Sequence, residues 1–301
     1  MYIMPKNQSG ALAAALAEDY DLYGPILPDA SGEPLFDRAE DPAAIRLDAA
    51  ISYNPPKSVV FPQAERILSY RYDKDSRTAA IVRDDLVRPK ALVGIRACDL
   101  SGLLCLDRFY LGQEYVDEVY RDHRKKMFIV ANTCVRPFPQ CFWKTVDASI
   151  ARFDAEATQN KAWISRVMNR ITMGFIGNDV WEYIGDQCFE CGACSFVCPT
   201  CSCFNIEDVN TREGGTDRKR SWDSCSYEGY TRMAGDHNPR HPVEDRRNKR
   251  FFCKLSFSQS KKYLRPGCVG CGRCNRVCPG DIGIANVVTY IRREITKAGA
   301  K

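Results

Sequence analysis

Sixteen of the 301 residues are cysteine, and half of these fall in two short stretches. Cys188–Cys198 reads CFECGACSFVC, and Cys268–Cys278, 80 residues later, reads CVGCGRCNRVC. Each spaces its thiols C-x2-C-x2-C-x3-C and runs into a proline, Pro199 or Pro279. A cuboidal 4Fe-4S cluster needs four thiolates at its corners. A two-residue gap lets three successive sulfurs reach adjacent irons from one tight loop, and the fourth cysteine, set before proline, ligates the other cluster of a pair. The spacing therefore predicts cluster A on Cys188, Cys191, Cys194 and Cys278. It predicts cluster B on Cys268, Cys271, Cys274 and Cys198. Gly192 and Gly272 keep side chains off the cluster face and permit positive φ in the loop. Zinc favours paired C-x2-C units, and disulfide frameworks belong to short secreted chains. Neither accounts for two complete copies of the run.

A second group of cysteines follows the first motif: Cys201 and Cys203 in PTCSCF, then Cys225 in SWDSC. Two readings stand. They are ligands of a third cluster, completed by Cys98, Cys134, Cys253 or a non-cysteine group, or they are packing thiols around cluster B. Cys98, Cys134 and Cys141 pose a similar choice between small buried hydrophobes and a redox or cluster-facing edge. Cys105 reads most simply as a packing thiol.

The elements that must position these residues point to a mixed α/β and α+β fold. An N-terminal α/β domain at 1–180, with a helical connector at 144–187, precedes a ferredoxin-like two-cluster domain at 181–301. That domain carries a long insert, 204–267. Residues 10–20 read as helix and Asp21–Pro28 as a β-like stretch. Ser58–Pro62 reads as a short strand or turn, and Gln63–Tyr70 as helix. Thr78–Val82, Ala91–Ile95 and Met127–Ala131 read as strands, with a helix near Leu100–Phe109 between the last two. The two core strands end near Cys98 and Cys134, at the sheet end where α/β folds bind ligands. The tail carries Ile284, Val287, Val288, Ile291 and Ile295 at helical spacing.

Composition is that of an ordinary globular chain, 45% hydrophobic and 27% charged, with a formal charge of +5. No run of about 18 apolar residues is present, so no membrane span is expected. Glu18 and Asp19 follow the apolar Ala11–Ala17 run directly, which favours an amphipathic first helix over a secretion signal. Many cysteines without an export signal imply reduced, metal-binding thiols and a cytoplasmic location. Two resting clusters of roughly −2 each would offset most of the positive charge. The bases of the insert, among them Arg220, Arg246, Arg247, Arg250 and Lys254, alternate with acids. That pattern suggests a salt-bridged or docking surface and not a nucleic-acid stripe. His123, His237 and His241 lie in charged stretches and read as solvated. There is no G-x-G-x-x-G fingerprint and no CxxCH haem site.

With these residues in view, the chain resembles the 4Fe-4S dicluster electron-transfer proteins. That family includes the iron-sulfur subunits of anaerobic sulfite reductase and the beta subunits of sulfhydrogenases. The resemblance rests on DQCFECGACSFVCPTCSCF at 186–204, on Arg218–Cys225 with its WDSC ending, and on CVGCGRCNRVCP at 268–279. Further upstream it rests on Pro56-Lys57, Phe61-Pro62, Gly94–Asp99 and Asn132–Cys134. This chain departs from the family in having Ala97 before Cys98-Asp99 and Trp143 where a second cysteine after Cys141 is expected. The resemblance implies an iron-sulfur subunit that relays single electrons between two partners. One is a flavin-containing, ferredoxin-reductase-like subunit that uses a nicotinamide. The other is a catalytic oxidoreductase subunit. The alternative is a stand-alone disulfide or sulfur-compound reductase working at the Cys98/Cys134 edge.

Overall fold

The computed structural model describes the chain except residues 1–7, 29–31, 74, 84–87, 135–137, 147–154, 213, 264 and 300–301. The fold is mixed α/β. Helix α1 (Ser9–Asp19) leads into β1 (Asp21–Ile26) and the hairpin strand β2 (Leu35–Arg38). A single helical turn, α2 (Lys57–Val60), stands where a short strand or turn was expected. It is followed by β3 (Ala64–Asp73), β4 (Thr78–Val82) and β5 (Lys90–Arg96). Helices α3 (Ala97–Tyr110) and α4 (Glu118–Lys125) carry the chain to β6 (Met127–Asn132), which pairs parallel to β5. The first sheet has the order β2-β1-β5-β6, with β1, β5 and β6 parallel. Ala91, Leu92, Val93 and Ile95 of β5 are buried, as an apolar run in a parallel strand must be.

Strand β3 corrects the helical reading of Gln63–Tyr70. Its backbone groups pair with β4 on one side and on the other with β8 from the insert, so tertiary pairing overrides a locally helix-compatible composition. Helices α5 (Trp143–Val146), α6 (Ala155–Met173) and α7 (Asn178–Asp186) form the connector, and α8 (Ala193–Phe196) is a single turn inside the first cysteine stretch. The insert opens with a hairpin, β7 (Phe204–Asn210) and β8 (Gly215–Trp222). This hairpin completes a second, antiparallel sheet of order β4-β3-β8-β7. The sheet takes two strands from each half of the chain. Helices α9 (Val243–Leu255), α10 (Phe257–Tyr263), α11 (Arg273–Val277) and α12 (Ile284–Gly299) finish the molecule.

The largest apolar core joins α6, α7, α9 and α12 through Val167, Ile171, Trp181, Ile184, Phe251, Leu255, Val287 and Ile291. The tail thus spends its apolar face on the protein's own core and does not present it for docking. Its burial clamps the second cysteine stretch between α9 and α12. Among the described residues no helix is long and apolar enough to cross a membrane.

Candidate metal centres

The two cysteine stretches fold alike. In each, the residue two past the first cysteine has positive φ, +52° at Glu190 and +66° at Gly270. Its N–H donates to that cysteine's sulfur at 3.4 Å, Glu190 to Cys188 and Gly270 to Cys268. Gly192 (φ +73°) and Gly272 (φ +79°) are left-handed caps of the short helices α8 and α11. A Cβ at Gly192 would strike the Tyr227 hydroxyl, and one at Gly272 the carbonyl of Gln140. The Arg246 guanidinium pairs with Glu190 at 2.5 Å and steadies its strained backbone.

Two cavities lie against these loops. One is lined by Cys188, Cys191, Cys194 and Cys278, with Arg247 on its wall. The other is lined by Cys268, Cys271, Cys274 and Cys198, with Arg250 and Lys254. Each loop therefore contributes three cysteines to its own cavity and its last cysteine to the other. Among the described residues, no three Cys, His, Asp or Glu side chains converge tightly enough to hold a single metal ion. The thiols instead ring spaces, as a cage-like cluster requires.

Buried charge makes the stronger test of fit. Lys57, Arg247, Arg250 and Lys254 are 2%, 2%, 3% and 6% exposed, and none pairs with a carboxylate among the described residues. Arg247 directs Nη1 to within 3.9 Å of Cys194 Sγ, while its Nε and Nη2 are buried without a partner. Arg250 donates to Cys194 O at 2.8 Å, to Ser195 Oγ at 3.4 Å and towards Cys201 Sγ at 3.8 Å. Lys254 Nζ donates to Thr200 Oγ1 at 2.9 Å, and Thr200 Oγ1 lies 3.2 Å from Cys198 Sγ. Unpaired buried cations cost several kcal/mol each. An anionic cluster in each cavity supplies the missing countercharge, so the residues present fit the group.

The bases of the insert therefore divide. Arg247, Arg250 and Lys254 occupy one face of α9, and that face points inward. Arg220 is also buried, held by Glu65 at 2.6 Å and by Asp117. Others, such as Arg218 with Asp208 at 2.8 Å, form exposed ion pairs. Of the expected docking surface only this outer part is exposed. His123 departs from the solvated reading too: it is only 12% exposed and bonds Glu65 at 3.2 Å.

The N-terminal cysteines separate by depth. Cys98 is 6% exposed and shares a core with Cys271 and Cys274. Burial and the adjacent Asp99 push its thiol well above its ordinary range, which is unsuited to a nucleophile. Asp99 holds Arg273 through two bonds of 2.5 and 2.9 Å, tying the end of β5 to the second cysteine loop. Cys141 donates to Gly270 O at 3.3 Å, and burial pushes it up to about 11. Cys105 is buried in α3, and burial raises it as well. Cys134 is exposed, 3.8 Å from Arg96 Nη1. The roles of Lys57, Asp99, Arg247, Arg250 and Lys254 escaped residue-level reading. The 247/250/254 spacing, which puts three bases on one helical stripe, was the available signal.

Residues 187–282 match the family described as 4Fe-4S dicluster domain. That stretch is a 4Fe-4S dicluster domain. Its cofactors are two 4Fe-4S clusters. Over 320 aligned positions the chain is 26% identical to sulfhydrogenase 2 subunit beta of Pyrococcus furiosus, covering 90% of this chain and 92% of that protein. No solved structure matches. The chain thus carries an iron-sulfur domain of the electron-transfer type.

Proposed function

We propose that this chain relays single electrons within a cytoplasmic complex, between a flavin-bearing subunit that uses a nicotinamide and a catalytic oxidoreductase subunit. In this reading residues 181–301 carry the clusters and residues 1–180 brace them. Cys188, Cys191, Cys194 and Cys278 hold one cluster, and Cys268, Cys271, Cys274 and Cys198 hold the other. The observation that carries the reading is the reciprocal exchange of Cys198 and Cys278 between two neighbouring cavities, with Arg250 between them. Bound there, each cluster supplies a site for one electron at a time.

The chain's own residues do the rest. Arg247, Arg250 and Lys254 offset negative charge, and the N–H groups of Glu190 and Gly270 bond the sulfurs, which raises the potential. The loop of the first cluster reaches the surface: Cys191 is exposed and Phe189 is 70% exposed, a contact point for a partner. Cys271 and Cys274 are each 7% exposed, so the second site is shielded from water. A reduced nicotinamide gives up two electrons together and needs a flavin to divide them. The isolated chain is therefore expected to show no NADH- or NADPH-dependent dye reduction. Adding a flavin subunit of the ferredoxin-reductase type should make its clusters reducible by the nucleotide. Clusters reduced by NADH in the pure chain would sink the reading.

A further inference from the structure

Cys201, Cys203 and Cys225 line neither cavity; Cys201 is buried and the other two are half-buried. Beside Cys225, however, the fold buries a row of hydroxyls that neither the cluster ligands nor the cations explain. Ser195, Ser224 and Ser226 are each no more than 1% exposed. Bulk water does not serve them, and their oxygens turn to one another. Ser224 Oγ lies 3.0 Å from Ser195 Oγ and 3.0 Å from Ser226 Oγ. The Ser226 N–H donates to Ser224 Oγ at 3.1 Å. Ser195 Oγ accepts from Arg250 Nη1 at 3.4 Å. At the other end Ser226 lines the first cavity, with its Oγ 3.9 Å from Cys194 Sγ. The row thus runs from Arg250, on the wall of the second cavity, to a sulfur of the first.

The backbone around the row is held in place. Ser224 N–H donates to Asp223 Oδ1 at 2.6 Å, and Arg246 Nε donates to Ser226 O at 3.1 Å. Packing alone does not require serines here, because alanine fills the space with no hydroxyl to satisfy. The direction of the protons follows from the metal. A thiolate that holds iron has no proton to give, so Ser226 is the donor to Cys194. Each hydroxyl carries a single proton. With its own spent on sulfur, Ser226 Oγ can only accept, and Ser224 is the hydroxyl within reach. Donation in series polarises each O–H and strengthens the last bond.

We propose that Ser226, aimed by Ser224, donates a hydrogen bond to Cys194 Sγ and raises the midpoint potential of the first cluster, which makes both serines positioning residues of the electron relay. Hydrogen bonds to cluster sulfurs stabilise the reduced, more negative state. One electron enters the cluster, and no proton leaves the serines. The matching thiol of the second site is served differently: among the described residues, Cys274 Sγ accepts a backbone N–H, that of Ile284, at 3.5 Å. Thr200, beside Cys198 of that site, spends its proton on Gly267 O at 2.6 Å. The serine row therefore acts on one cluster, although it starts at a guanidinium between the two. The proposal rests on the two-cluster reading above and deepens it.

The test is a potentiometric titration of the whole chain, isolated without oxygen and followed by electron paramagnetic resonance, with iron counted in each sample. Ser226→Ala should keep about 8 irons per chain, four for each cubane. Its first cluster should be harder to reduce: at a fixed potential the reduced-to-oxidised ratio should fall roughly 3- to 10-fold, the worth of one hydrogen bond. The second cluster should stay where it was. Ser224→Ala, which removes the hydroxyl behind Ser226, should shift the same signal in the same direction by less. Ser226→Thr, which keeps the hydroxyl, should restore the potential. If Ser226→Ala fails to hold its clusters, Ser224→Ala still decides. An unchanged first-cluster potential in either alanine variant, or equal shifts in both clusters, overturns the serine assignment and leaves the two-cluster reading standing. A wild-type count of about 4 irons or fewer overturns both.

Discussion

A guanidinium buried without a carboxylate must be matched by charge elsewhere, and Arg250 stands where two sites can provide it. Its charge is felt at Cys194 of one cavity and at Cys274 and Cys198 of the other. A cation favours the reduced, more negative state of a nearby cluster. Arg250→Met is therefore expected to lower the midpoint potentials of both clusters, by something on the order of 60 mV, one decade for a one-electron couple. Arg250→Lys should lose less, because the charge remains while the fork of hydrogen bonds goes. Potentiometric titration followed by electron paramagnetic resonance measures this, and unchanged potentials in Arg250→Met would refute it. Arg247 acts beside only the first cavity, so its loss should shift that cluster's potential alone.

At the scale of elements, the two loop-and-turn units α8 and α11 sit against each other and exchange their last cysteines. The consequence is non-local. Cys278→Ser should damage the cluster held by Cys188, Cys191 and Cys194, although these lie more than 80 residues away in sequence. Site-resolved spectroscopy showing loss of the Cys268 cluster instead would reverse the assignment. Helix α9 lies behind both units. It presents Arg247, Arg250 and Lys254 to the cavities, and its Phe251 and Leu255 enter the same core as Ile284 and Val287 of α12. One helix thus supplies both the countercharge and the apolar support. The insert that separates the two cysteine stretches is the housing of the clusters.

The molecule as a whole is joined through the antiparallel sheet and the ion pairs behind it. Arg220 on β8 bonds Glu65 on β3 and Asp117 at the start of α4, so one buried cation ties the insert to two N-terminal elements. Arg220→Met leaves Glu65 9% exposed without its guanidinium and should cost about 3–5 kcal/mol at neutral pH, read from urea unfolding. The pH dependence has a definite sign. Burial alone would push Glu65 up, but bonds from His123 and Arg220 outweigh it and hold the carboxyl below its ordinary 4.5. Stability from this group is therefore complete above pH 4.5 and falls as pH drops through the lowered folded value. In Arg220→Met the carboxyl protonates more readily, so the gap between variant and wild type should narrow as the pH falls below 4.5. A gap that stays constant down to the acid transition would show that the pair is not the source.

How much of this was legible beforehand follows from how local each signal is. Cluster chemistry needs a tight loop of fixed spacing, so the two C-x2-C-x2-C-x3-C runs state the cofactor on their own. The parallel strand β5 was legible for a similar reason, since a strand buried on both faces must be apolar throughout, while β6, an edge strand with Phe128 exposed, was legible from its apolar run alone. Strand β3 was not. Its ladder partner β8 lies some 150 residues away, and no local composition encodes that pairing. The basic insert misled in the same manner: alternating charge normally marks a solvated face, and only the packing of α9 against the cysteine loops turns Arg247, Arg250 and Lys254 inward. His123 went unread because Glu65 reaches it across 58 residues. Spacing along the chain determined which thiols could share a metal, because a ligand loop is a local object. Which cations face that metal, and which half of the chain covers it, was decided by tertiary structure. Electrostatic compensation and strand pairing act through space between residues that the sequence keeps far apart.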